Sequence, residues 1–332
     1  MARAVEVLAV LVISGLGASR ALAEDVVHYL DGDGRPGRVS GRIVDLTGEA
    51  LHIELPGGQE RIIRDARVLR VETDYLADQD RGDAAMAAGE FARALSFYRQ
   101  ALAAEERVWV RRQIIAQSIR CQEALGDWAA AGESFLALVR SDPQTLHFDW
   151  IPLQWIAAIP SPVLEDAARR WLESSEPAAV LLGASHLMPT ASRGTAVARL
   201  GELAAHAEAP VAPLARAQLW RHELVGGELA RVQSASRAIE DFPEPLRAGP
   251  YYVVGNAFLQ HRQWEDAAIH LMRVPILYPR HRDLAARALL DAGRALERLE
   301  RPEAAARLYY EILRDYPGSP AAGEARARLE GS

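Results

Sequence analysis

Asp31-Gly32-Asp33-Gly34 is the run most suggestive of a metal loop. Calcium would need further oxygen ligands at fixed spacing and a bidentate Glu at the loop's end. Arg35 and Pro36 stand in that stretch instead, so the run reads as a hairpin turn. His261, His270 and His281 do not place two rings on one helical face as a compact zinc pair would require. His147 and His186 lie beside apolar residues and read as hydrogen-bonded structural histidines. Cys121 is the only cysteine, which rules out an intramolecular disulfide and suits packing inside a helix pair. No Gly-x-Gly-x-x-Gly, no Gly-rich Lys loop, no Gly-x-Ser-x-Gly elbow and no His-Glu-x-x-His occurs. The 45 acidic residues supply many carboxylate pairs, and nothing singles out one as a general acid. The expectation is a protein that is not an enzyme, with no metal and no cofactor.

The elements that carry these residues repeat. Gly255, Trp264, Ala267, Leu271 and Tyr278-Pro279 are followed by Gly293, Pro302, Ala305, Tyr309 and Tyr316-Pro317. The two glycines are 38 residues apart, as are the two prolines. Each copy is a helix pair. A glycine in the first helix admits the second, and a small Ala one turn before a large residue shares a face of the second. Proline then ends the pair. Upstream, Gly82, Gly89, Phe91, Ala94 and Tyr98 keep the same phase. So do Gly126, Trp128, Ala131, Phe135 and Pro143, with Ile119 at the first-helix glycine. Such a period predicts a stacked helix-pair solenoid. Trp128 and Trp264, at the turn, are expected to be largely buried between helices.

Before the helices, five short runs alternate at period two between Gly-rich turns: Val26–Tyr29, Arg38–Leu46, Leu51–Leu55, Arg61–Ile63 and Val68–Glu72. So small a sheet must curl on itself or pack against the helices that follow. The domain plan is a signal peptide at 1–23, a small β-barrel at 24–74 and helix pairs at 75–144. Degenerate helical repeats follow at 145–247, and C-terminal helix pairs at 248–332. The fold class is mainly α, a helix-pair solenoid preceded by a five-stranded β-barrel.

The helical anchors resemble the tetratricopeptide repeat, across nearly half of the chain. Departures are Arg262 at the turn glycine and Pro302 where an aromatic is usual. The tail Asp315-Tyr316-Pro317-Gly318-Ser319-Pro320 resembles repeats of bacterial envelope proteins, including the outer-membrane assembly lipoprotein and the periplasmic cell-division coordinator. The strand region resembles SH3-like or Sm-like barrels. The resemblance implies a non-enzymatic protein–protein scaffold, with a peptide groove lined by the first helix of each pair. The matching positions are Tyr252, Asn256 and Leu259, then Arg287, Leu290, Arg294 and Arg298. Asn256 stands where the carboxylate-clamping repeats keep an asparagine, but Tyr252 replaces a usual lysine and Asp291 adds a negative charge. The resemblance therefore implies no C-terminal carboxylate clamp. It implies a groove with a positive edge and an apolar floor, suited to an acidic amphipathic segment.

Arg3, the apolar run Val7–Leu16 and Ala21-Leu22-Ala23 read as an export signal cleaved before Glu24. That places the mature protein in the periplasm or outside the cell, with no stable membrane span after cleavage. All 38 basic residues are Arg, and the formal net charge is −7, which argues against nucleic acid as a partner. The expected partner is another protein or peptide of the cell envelope. The alternative is an accessory carbohydrate- or cell-wall-binding module of an exported enzyme system. Aromatic side chains open to the groove would favour sugar.

Overall fold

A computed structural model describes residues 24–205 and 210–331. The expected export signal, residues 1–23, lies outside the described residues. The chain divides into two compact units, one ending at Trp150 and one beginning at Ile151.

The first unit opens with β1 (Asp25–Leu30), β2 (Pro36–Leu46), β3 (Ala50–Glu54), β4 (Glu60–Arg64) and β5 (Val68–Glu72). They form one antiparallel sheet in the order β4-β3-β2-β1-β5. The expected barrel is not formed: among the described residues β4 pairs only with β3 and β5 only with β1, leaving the sheet open. The reason lies in the edge strands. Ile63 is the one buried residue of β4, and β5 has none. Closure would therefore gain little apolar burial, and the charged side chains Glu60, Arg61, Arg64, Arg70 and Glu72 discourage edge pairing. The core forms against helices instead. Val27, Val39, Ile43, Leu51 and Ile53 cluster with Ala85, Leu95, Tyr98, Trp109 and Ile114. Gly41 sits where β2 changes partner from β1 to β3, and a Cβ there would strike the Glu54 carbonyl. At the β1–β2 turn, the Asp31 carboxylate accepts from the amides of Asp33 and Arg35, both at 2.9 Å, so the metal-like run is a hairpin turn.

Four helices complete this unit: α1 (Ala77–Ala87), α2 (Phe91–Ala104), α3 (Val108–Ala124) and α4 (Trp128–Ser141). Arg112 of α3 ties them to the sheet, donating to Asp45 Oδ1 at 2.7 Å and to Ser141 Oγ at 2.9 Å.

The second unit is all helical: α5 (Pro162–Leu172), α6 (Pro177–Leu187), α7 (Arg193–Ala204), α8 (Val211–Glu223), α9 (Leu229–Ala238), α10 (Ala248–Gln260), α11 (Trp264–Leu277), α12 (Arg282–Arg298), α13 (Pro302–Asp315) and α14 (Pro320–Glu330). Every residue of α6 from Ala178 to Leu187 is buried, as its nearly unbroken apolar run requires.

The repeat anchors act as a mechanical set. Gly82, Gly255 and Gly293 each lie against the large residue sixteen positions on, Tyr98, Leu271 and Tyr309. A Cβ at Gly255 would lie 2.7 Å from Leu271 Cγ, and one at Gly293 would lie 2.7 Å from Tyr309 Cζ. Ala94, Ala131, Ala267 and Ala305 are buried one turn before the large residue. The turn inside each pair is left-handed at Gly89 (φ 76°), Gly126 (φ 75°), Arg262 (φ 57°) and Glu300 (φ 58°). At each, the next amide bonds back five residues, as Glu90 N does to Ala85 O and Arg301 N to Leu296 O, closing the helix end. Trp128 and Trp264 are half-buried rather than enclosed. Each is the first residue of its helix, where the turn leaves one side of the ring open.

Candidate functional site: the inner row of the second unit

Alternate helices of the second unit touch on one side only. Helices α6, α8, α10, α12 and α14 meet in succession, whereas α11 and α13 hardly approach each other. The even-numbered helices thus form the tighter, inner row of this unit.

One stretch of the chain already lies across that row. Ile151 to Pro160 has no helix or strand. His186 Nε2 on α6 donates to Pro152 O at 2.9 Å, and Ser185 Oγ accepts from Gln154 N at 2.8 Å. Gln218 Nε2 on α8 donates to Gln154 O at 3.4 Å. The Trp155 ring fills the space a Cβ at Gly249 on α10 would take. Side chains of this row therefore read the main chain of an irregular, non-helical segment. His186 is 1% exposed, and its burial pulls its pKa down to about 4, so the ring is neutral at pH 7.

Farther along the row, Asp291 of α12 is the centre of a charge network. Its side chain is 2% exposed. It accepts from Tyr252 Oη on α10 at 3.3 Å, Arg287 Nε at 3.0 Å and Arg294 NH1 at 2.9 Å. Glu324 of α14 takes the outer edges of both guanidiniums, from Arg287 NH1 at 3.1 Å and Arg294 NH2 at 2.5 Å. Burial works against the charged Arg287, but Asp291 outweighs it and raises its pKa. Burial, with Asp291 adding, pushes Tyr252 well above the ordinary phenol value, so it stays a donor. Beside this network, Glu297 accepts from Tyr309 Oη at 2.8 Å and from Arg328 NH1 at 2.6 Å.

Residues 287–319 match a tetratricopeptide repeat model. That span runs from within α12 through α13 to the residue before α14. No curated protein matches the chain.

The seven groove positions named from the repeat pattern share this row but not one role. Tyr252, Arg287 and Arg294 come together on Asp291. Leu290 is fully buried in the core cluster. Asn256 and Leu259 are half-buried, and Asn256 Nδ2 donates to Tyr252 O at 3.3 Å. Arg298 is exposed. Arg287 and Arg294 are balanced by Asp291 and Glu324, so they add little positive field to the row. Glu324 escaped the sequence reading because its partners are 30 and 37 residues away on another helix. Arg221 of α8 escaped it as well, because the middle of the chain does not keep the repeat anchors in phase.

Among the described residues, no group of three or more His, Cys, Asp or Glu is placed to hold a metal. Among them too, no helix is long and apolar enough to cross a membrane. Stacked helix pairs of this kind are generally protein–protein scaffolds.

Proposed function

We propose that this protein is a non-enzymatic scaffold, exported to the periplasm or cell envelope, which holds an extended segment of another envelope protein on its inner row from α8 to α14. The observation that carries this reading is the segment Ile151 to Pro160. The row already holds non-helical chain by its backbone through Ser185, His186 and Gln218, and the half-buried polar positions continue along α10 and α12. A backbone-reading row suits a peptide. A carbohydrate module would need aromatic rings open to this face, and Tyr252 is buried with its hydroxyl on Asp291.

The test is site-specific photocrosslinking of the full chain in an envelope fraction. A crosslinker at Leu259 or Arg298, on the inner row, should trap the same partner. One at Ile276, exposed on α11, should not. Crosslinks from Ile276 alone, or from no position, would defeat the proposal. Export is tested separately by N-terminal sequencing, which should find Glu24; Met1 retained on a cytoplasmic protein would end that part.

A further inference from the structure

Three inner-row cations are internally balanced. Arg287 and Arg294 sit between Asp291 and Glu324, and Arg328 pairs with Glu297. Arg221 of α8 differs. Its NH1 donates to Ser185 O at 3.0 Å and to Gln218 Oε1 at 2.6 Å, both neutral acceptors. No carboxylate among the described residues lies within ion-pair distance of it. Its Nε and NH2 have no protein partner there, and they are not sealed from solvent. The two NH1 bonds hold the guanidinium plane, and the Nε–NH2 edge faces away from them. That edge is one of the two forks by which arginine binds a carboxylate through paired hydrogen bonds.

We propose that Arg221 is the recognition point for an acidic side chain, Asp or Glu, in the extended segment that docks on this row. The proposal rests on the groove reading above. Gln218 links the two: it holds Arg221 through its oxygen and reads the main chain of Gln154 through its nitrogen. Helix α8, which carries Arg221, packs against α10, the next helix of the row. Burial lowers the Arg221 pKa to about 10, so it remains charged at neutral pH while bearing a desolvation cost that no acid of the row offsets. An incoming carboxylate would offset it. The competing role is structural, with Arg221 only capping the last turn of α6 through Ser185 O.

The test is selection of dodecapeptides from a random library on the full-length protein, followed by titration of each binder against its Glu→Gln or Asp→Asn version. The expected result is one acidic position shared among the binders. Neutralising it should weaken binding to wild type about 10- to 100-fold, the range for a hydrogen-bonded charge pair. Arg221→Gln should weaken the acidic peptides by the same factor and leave their neutral versions unchanged, and Arg221→Lys should restore part of the loss. Binders without a shared acid, or an equal loss for acidic and neutral peptides in Arg221→Gln, would overturn the subsite and leave the groove standing. If Arg221→Gln does not fold, the comparison of acidic and neutral peptides on wild type decides alone. A selection with no binder would overturn the groove and the subsite together.

Discussion

Replacing Glu300 and Arg262 by glycine should stabilise the second unit. Both residues hold left-handed φ, 58° and 57°, at the turn between paired helices, where the first unit has Gly89 and Gly126. An L-residue in that conformation costs about 1–2 kcal/mol relative to one in the right-handed region. Glycine removes that cost but gains about 0.4–1 kcal/mol of freedom in the unfolded chain. The net gain is about 0.5–1 kcal/mol for each site. Among the described residues neither side chain forms a hydrogen bond or an ion pair that the change would remove, and the backbone bonds Gln263 N to Phe258 O and Arg301 N to Leu296 O survive it. The turns belong to different helix pairs, so the gains should add. Together they amount to about 1–2 kcal/mol, or a rise of roughly 2–6 °C in melting temperature for a unit of this size. Differential scanning calorimetry is the assay, since a chain of two units need not melt in one step. The rise should fall on the second unit's transition. The converse changes, Gly89→Ala and Gly126→Ala, should lower the first unit's transition by about 1 kcal/mol each. Unchanged or lowered stability in both glycine variants would refute the claim that these turns are strained.

Three further outcomes follow from the packing and the buried groups. Gly293→Ala drives a methyl into the Tyr309 ring, whose hydroxyl is tied to Glu297 at 2.8 Å, and should cost about 1–3 kcal/mol; hydrogen exchange should quicken in α12 and α13, and exchange unchanged there would count against the contact. His186 has its pKa lowered from 6.5 to about 4 by burial, so the unfolded chain takes its proton first. Stability is therefore fully present above about pH 7 and falls as pH drops from about 6.5 toward 4, by up to about 3 kcal/mol. His270 shifts in the same direction, so His186→Gln should flatten only part of the slope seen in urea midpoints, and an unaltered slope would contradict the assignment. Cys121 is fully buried and its thiol is pushed up to about 11, so iodoacetamide should label it only when the first unit unfolds; fast labelling of the native protein would show the site to be open.

What the sequence determined is short-range. A glycine, an alanine and a large side chain in fixed phase specify a helix pair, because the contacts they make lie within one hairpin of chain. The Gly255, Ala267 and Leu271 set and the Gly293, Ala305 and Tyr309 set could thus be read directly. Five strands could be counted from alternation and turns for the same reason. Closure of the sheet could not, because it depends on where the buried faces find partners. Here they find α1 to α3, and β4 and β5 remain open edges. The half-burial of Trp128 and Trp264 is likewise set by neighbouring elements rather than by the slot they occupy. The net electrostatics of the inner row belong in part to the tertiary structure. Arg287 and Arg294 read in sequence as a positive edge, but Glu324 arrives from α14 to balance them with Asp291. Arg221 carries no motif and becomes distinctive only because α6 and α8 supply it with neutral acceptors and, among the described residues, no acid. Charge balance depends on distances through space, and those between helices 30 or more residues apart are set only when the helices pack.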